Sequence, residues 1–213
     1  GAGAYVLGGV FVHLSSSPLN AFLAAAGAAV TAFVASAGIG WLAFYSRTKV
    51  SEFYIAVVTL GLSVLLGQAI LYGGAVTGGS NGLSGFATIG LPNKVWYAGV
   101  VILLLATVAV AMRLVRSDFG QVLKAIRDNE MRSRYLGIDT PLVRTIMFSA
   151  ANAAIAIVGV VYATFTTVVA PSLVVIAVAT NVIICVILGG RGTLVGPALA
   201  AIAITAVTPQ LST

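Results

Sequence analysis

The sequence predicts an all-α fold: a polytopic bundle of transmembrane helices with one short helix on its inner face. Three observations predict it. Hydrophobic residues fill 60% of the 213 positions and charged residues only 8%, against about 25% charged in soluble domains. A soluble fold of this length has too small a core to hide so much apolar surface, whereas lipid accepts it directly. The apolar residues come in long runs, and the charges between those runs separate by sign in a way that assigns sides.

A helix needs about 20 apolar residues to cross the hydrocarbon of a bilayer. The candidate runs are Gly1–Leu14, Leu19–Phe44, Phe53–Gly74, Val95–Met112, Ile146–Val169, Leu173–Leu188 and Thr193–Val207. The first, sixth and seventh are short, and a short run can be tilted, broken or re-entrant. If all seven cross, Arg47, Lys49, the basic residues from Arg113 through Arg144, and Arg191 share one side, and Lys94 stands alone on the other. Basic connections mark the cytoplasmic side. The net charge of +6 is then a topology signal for a multi-pass membrane protein, and no nucleic acid is needed to explain it. No linker or composition shift divides the chain, so residues 1–213 are expected to be a single transmembrane domain. Gly1 opens without a Met and already apolar, and Thr213 closely follows an apolar run. Truncation at both ends is therefore expected.

Small residues crowd two of the spans, at Ala24–Ala29 and at Ala150, Ala151, Ala153 and Ala154. Such faces let helix backbones approach closely in lipid. No Asp, Glu, Lys or Arg occupies the middle of a span. Proton-driven carriers place ionisable relays there, so this argues against one, while a carrier coupled to sodium through carbonyls and hydroxyls stays open. The spans offer no base for an intramembrane nucleophile, so an enzyme is not expected. A nucleotide-binding phosphate loop requires Gly-Lys, and Lys49, Lys94 and Lys124 each follow another residue. One cysteine, Cys185, and one histidine, His13, make no metal site. Asn152, Asn181 and Gln68 are polar groups within spans. They either hydrogen-bond between helices or line a polar pathway.

The inner segment 113–144 is the most informative. Asp118 is a candidate N-cap with Gln121 completing a capping box. Phe119, Val122, Leu123 and Ile126 fall on one helical face. Asp128–Arg132 and Glu130–Arg134 are spaced as i,i+4 ion pairs. Gly137 is a left-handed C-cap, and Thr140-Pro141 reads as the N-cap and first turn of a helix that runs into the fifth span. Two readings of this short helix remain open on physical grounds: an interfacial helix resting on anionic lipid, or a rigid strut that docks a partner and passes its movement to the attached spans.

Phe119-Gly120-Gln-Val-Leu-Lys124-Ala125-Ile-Arg127-Asp128-Asn129-Glu130, with Gly137 beyond it, resembles the cytoplasmic coupling segment of branched-chain amino acid ABC transporter permeases. Other stretches are similar to that family in the same order: Gly3-Ala4-Tyr5, Phe53–Leu60, Thr77-Gly78-Gly79-Ser80-Asn81-Gly82-Leu83, and Leu188-Gly189-Gly190-Arg191-Gly192-Thr193-Leu194-Val195-Gly196-Pro197. Val64 and Ala200 depart from it, standing where an acidic residue and a glycine are usual.

The resemblance implies a transport subunit without catalysis of its own and with no cofactor, ATP and Mg belonging to a partner. The implied partners are ABC ATPase subunits, a second permease subunit that is related but different, an extracytoplasmic solute-binding protein, and the lipid bilayer. It assigns ATPase docking to Phe119, Gly120, Lys124, Ala125, Arg127, Asp128, Asn129, Glu130 and Gly137, which makes the inner helix a coupling helix. Thr77, Gly78, Gly79, Ser80, Asn81 and Gly82 lie in an outer loop that either meets the binding protein and borders the entrance or is a flexible connection. Asn152 and Asn181 are the candidate pathway residues. The inner loop at Gly189–Pro197 is either a tight helix–helix turn or a pathway element. The expected function is ATP-driven import of branched-chain amino acids or similar small polar solutes. An ion-coupled secondary transporter of a small neutral solute is the alternative, and a non-transporting scaffold is a third class.

Overall fold

The computed structural model describes residues 18–45, 52–73, 79, 83–84, 92–166, 168–169, 176–190, 192–193 and 195–211. The first predicted span, Gly1–Leu14, lies outside the described residues, as do Arg47, Lys49 and Arg191. The helices are α1 (Pro18–Phe44), α2 (Glu52–Tyr72), α3 (Asn93–Arg116), α4 (Asp118–Asp128), α5 (Glu130–Tyr135), α6 (Thr140–Thr166), α7 (Ile176–Gly189) and α8 (Gly196–Leu211). Among the described residues the fold is all-α apart from a two-residue ladder, β1 (Leu83–Ser84) antiparallel to β2 (Val168–Val169), with Leu83 opposite Val169.

Each predicted run from Leu19 onward is helical over most of its described residues, though the run Ile146–Val169 ends in β2 and Thr193 lies before α8. Among the described residues α1, α3 and α6 are each long and apolar enough to cross a membrane. Helix α3 has 24 residues and α6 has 27; at about 1.5 Å per residue both exceed a hydrocarbon core of about 30 Å. Helices α7 and α8 have 14 and 16 residues, or roughly 21 and 24 Å.

The chain forms two compact units. The first comprises Gly1–Trp96 and Ala125–Val174, and its centre is the packing of α1 against α6. On α1 the buried positions are Ala24, Ala28, Ser36, Gly40 and Ala43. On α6, beyond Thr140 at its start, they are Thr145, Ser149, Ala156, Val160, Ala163 and Thr164. Steps of three and four place each set on one helical face. All but Val160 are small, so the backbones come close. A Cβ added at Gly40 would lie 3.1 Å from the Thr145 Cγ2.

The polar side chains in this seam do not bond across it. The hydroxyls of Thr145, Ser149 and Thr164 each donate to the carbonyl four residues earlier, all at 2.8 Å. A hydroxyl satisfied within its own helix can be buried against a neighbour without an orphaned donor. Aromatic contacts finish the ends. Phe44 meets Phe148 edge-on at 6.3 Å, and Trp96 in the first turn of α3 meets Phe165 in the last turn of α6 at 6.0 Å. The outward faces are apolar, with Phe22, Val34 and Leu42 of α1 well exposed. That arrangement suits hydrocarbon as the surrounding medium.

The second unit comprises Tyr97–Lys124 and Val175–Thr213. Here α7 and α8 form a helical hairpin joined by a short turn. Gly190 and Gly192 have φ of +91° and +98°, a backbone that glycine adopts at little cost. The Thr193 hydroxyl donates to the carbonyls of Gly189 and Gly190 at 3.1 and 3.0 Å. The backbones of Gly189 and Gly196 touch directly: a Cβ at Gly189 would lie 2.3 Å from the Gly196 carbonyl carbon. The glycines of this motif thus build a tight helix–helix turn. Gly120 belongs to the same class of contact, since its Cβ would lie 2.2 Å from the Leu114 carbonyl oxygen. That proximity is what lets the chain fold from α3 into α4 across the single residue Ser117.

Candidate functional site

The segment from Ser117 to Arg144 holds most of the predicted site residues. Its first helix, α4, starts one residue earlier than expected. Ser117, not Asp118, is the N-cap: its hydroxyl accepts from the Gly120 N–H at 3.3 Å and its carbonyl from the Gln121 N–H at 3.1 Å. Asp118 then lies in the first turn, where a carboxylate favours the positive end of the helix dipole. Ile126 is buried and Phe119, Val122 and Leu123 are half-buried, while Gln121, Lys124, Ala125, Arg127 and Asp128 are exposed. The amphipathic face read from the sequence is therefore the less exposed one, and the polar face is open.

The predicted continuous helix is broken at Asn129. Asn129 adopts an extended backbone, φ −158° and ψ 101°, and its side chain accepts from the Arg132 N–H at 3.0 Å, capping a new helix, α5. An asparagine competes with helix propagation by offering its own oxygen to the next turn, and here that competition wins. The break also redirects Asp128, which pairs with neighbouring Arg127 at 3.3 Å instead of with Arg132; both side chains are about 70% exposed, so this pair adds little stability.

Helix α5 ends as the sequence predicts. Gly137 has φ +83°, its N–H donates to the Arg134 carbonyl at 3.0 Å, and the Ile138 N–H reaches back to the Ser133 carbonyl at 3.2 Å. These two bonds make a Schellman motif with Gly137 in the left-handed position. The turn folds the chain back, so that α6 begins beside α5.

At this fold-back the structure corrects a second cap. The N-cap of α6 is Asp139, whose carboxylate accepts from the Leu142 N–H at 3.1 Å. Thr140 is instead fully buried and joins a polar node. Glu130 stands at its centre. One carboxylate oxygen accepts from Arg134 at 2.7 Å and from the Thr140 hydroxyl at 3.2 Å; the other pairs with Arg144 at 2.8 Å. The Arg134 Nε closes the ring by donating to the Thr140 hydroxyl oxygen at 2.9 Å. The predicted Glu130–Arg134 pair is thus present, but as one edge of a larger network. Nearby, the Tyr45 hydroxyl at the end of α1 donates to Asp139 at 3.0 Å. Desolvation, then the hydrogen bond and the negative charge of Asp139, raise the Tyr45 pKa above its usual value.

The predicted site residues therefore fall into three environments. Lys124, Ala125, Arg127, Asp128, Asn129 and Gly137 are exposed, Phe119 and Glu130 are half-buried, and Gly120 is buried. Asn152 donates to the Phe148 carbonyl of its own helix at 2.8 Å, and Asn181 is exposed on α7. Of the outer loop, Gly79 is described, with φ +56°; Thr77, Gly78, Ser80, Asn81 and Gly82 lie outside the described residues. Among the described residues no cluster of His, Cys, Asp and Glu is arranged to hold a metal ion.

Thr140, Arg144, Asp139 and Tyr45 were not among the predicted site residues. Nothing local in the sequence marks the first two, because their contact with Glu130 exists only once the Gly137 turn has reversed the chain. The Asp139 cap had a signal: it immediately precedes Thr140-Pro141, and either residue was a competent cap.

A family model described as the branched-chain amino acid transport system permease component matches residues 1–212. The high-affinity branched-chain amino acid transport system permease protein LivM of Escherichia coli (strain K12) is 27% identical over 192 residues, covering 76% of this chain and 45% of that protein. The chain thus spans about half the length of that relative. No solved structure matches.

Proposed function

This chain belongs to the family of branched-chain amino acid transport permeases, and from that premise we propose that it is the membrane-spanning subunit of an importer that ATPase subunits drive from the inner face. Its cargo is a branched-chain amino acid or a small polar solute of that kind. An extracytoplasmic binding protein delivers the solute, and a second, related permease subunit completes the pathway.

The observation that carries this reading is the division of α4. Of its apolar residues Ile126 is buried and Phe119, Val122 and Leu123 are half-buried, while Lys124, Ala125, Arg127 and Asp128 are exposed on the opposite face. A helix lying on lipid would direct its apolar face to the bilayer. One whose apolar face is the less exposed offers charged side chains to a partner. The node at Glu130 and the Schellman turn anchor this segment to the first turn of α6, so a push on it reaches a membrane-spanning helix.

The test is uptake by the complete transporter in vesicles. With its ATPases present and ATP inside, branched-chain amino acid accumulates; without the ATPases, uptake falls to the level of empty vesicles. Uptake that persists on an ion gradient alone defeats this reading in favour of a secondary carrier. Reversing the exposed charges (Lys124→Glu with Arg127→Glu) is expected to weaken ATPase association at least tenfold, about 1.4 kcal/mol, with the folded protein still present in the membrane. ATPase co-purification measures it.

A further inference from the structure

Resting on that reading, we infer that Glu130 is a positioning residue: a latch that fixes the inner strut α5 to the start of α6, so that strut, α6 and α1 move as one body. Its carboxylate is turned inward. One oxygen takes Arg134 of its own helix and the Thr140 hydroxyl, and the other takes Arg144 of α6, at 2.7, 3.2 and 2.8 Å. Thr140 is fully buried, and the side chains of Glu130 and Arg144 are 30% and 35% exposed. Both carboxylate oxygens are thereby committed within the chain, whereas Arg127 and Asp128, one turn or less away, project into solvent.

The geometry fixes an angle. A single surface ion pair holds little, but here one carboxylate is gripped from two helices by planar guanidinium groups, which prefer a fixed approach to a carboxylate. The Schellman turn at Gly137 closes the far end of the loop. Two fastenings at separate points prevent α5 from swinging about its connection to α6. Beyond the latch, the Tyr45–Asp139 bond and the Gly40–Thr145 contact tie the same end of α6 to α1. Removing the Glu130 charge leaves Arg134 and Arg144 facing each other without a counterion, and the strut gains freedom. The ATPase still docks, and its movement is lost in the joint.

The experiment uses the complete transporter in vesicles and compares Glu130→Gln, Arg144→Gln and the double variant. Arg144→Gln is expected to keep ATPase co-purification and ATP hydrolysis while solute imported per ATP falls about tenfold; Glu130→Gln is expected to show the same fall, and the double variant to be no worse than either single one. Arg144→Lys, which restores a cation, recovers part of the loss. Spin labels on exposed Tyr135 and Leu42 report the joint directly: their distance distribution broadens in Glu130→Gln. Additive losses in the double variant, an unchanged distance distribution, or a loss of ATPase association confined to the Glu130 variant would each overturn the latch. The label measurement does not depend on transport. If the distribution broadens but wild-type uptake proves independent of the ATPases, the latch stands as a joint and the importer reading fails.

Discussion

The two helix pairs of this protein are held together in opposite ways. Helices α1 and α6 meet along a seam of small residues, from Ala24 to Ala43 on one side and from Thr145 to Thr164 on the other, closed by an aromatic pair and by the Tyr45–Asp139 bond. At their tightest glycine, Gly40, an added Cβ would lie 3.1 Å from a side-chain methyl. Helices α7 and α8 are about half as long, and the glycines at their junction lie backbone on backbone, with no room for a single carbon. The first pair spreads its attraction over many van der Waals contacts, each worth about 0.1–0.2 kcal/mol, and gives locally when one is disturbed. The second depends on one approach that either exists or does not. A permease has use for both: a long pair that shifts as a body, and a hairpin whose shape is fixed.

The largest expected effect falls on the hairpin. Gly196→Ala places a carbon against the Gly189 carbonyl oxygen, where the obstacle is backbone and cannot rotate aside. A loss of about 3 kcal/mol or more is expected, visible as reduced membrane accumulation and a lower unfolding midpoint in detergent. Normal accumulation would mean that the hairpin is as forgiving as the long pair. Gly40→Leu is next, at about 1–3 kcal/mol, because four carbons must be accommodated beside Thr145. Pairing it with Thr145→Ala makes room and is expected to recover part of the loss; a loss that the second substitution leaves untouched would break the picture of a compliant seam.

The smallest effect is expected for Tyr45→Phe, which removes one exposed hydrogen bond of the long pair and lowers the unfolding midpoint only slightly. The pH dependence has a definite sign. The Tyr45 pKa is raised in the fold, so the neutral hydroxyl is the favoured form. Its contribution is complete below the unfolded tyrosine value of about 10 and is lost as the pH rises through the higher folded value. The difference between wild type and Tyr45→Phe is therefore expected to shrink in alkaline unfolding titrations. A difference that grows with pH would refute the assignment.

Local signals were legible where a residue acts through its own backbone. Gly137 was readable as the end of α5 because a left-handed position after a charged helical turn demands glycine. The amphipathic face of α4 was readable from Phe119, Val122, Leu123 and Ile126. The caps were less secure. Ser117 and Asp118 both suit an N-cap, as do Asp139 and Thr140, and neighbouring residues of the same capping class are separated only by where the preceding chain arrives. The break at Asn129 had a signal in its residue type, but the flanking charges at i,i+4 spacing favoured continuity.

By itself the sequence determined the medium, the order of the long apolar helices described, and the turns that need glycine. Each of these follows from side chains acting on solvent or on their own backbone within a few residues. Only the tertiary structure decided which polar groups meet. Glu130 could have served a partner, solvent or its own helix, and it closes on Arg144 because the reversal at Gly137 brings α6 alongside α5. Such contacts join residues distant in sequence, and their distances are set by how the backbone returns, which no local pattern of residue types encodes.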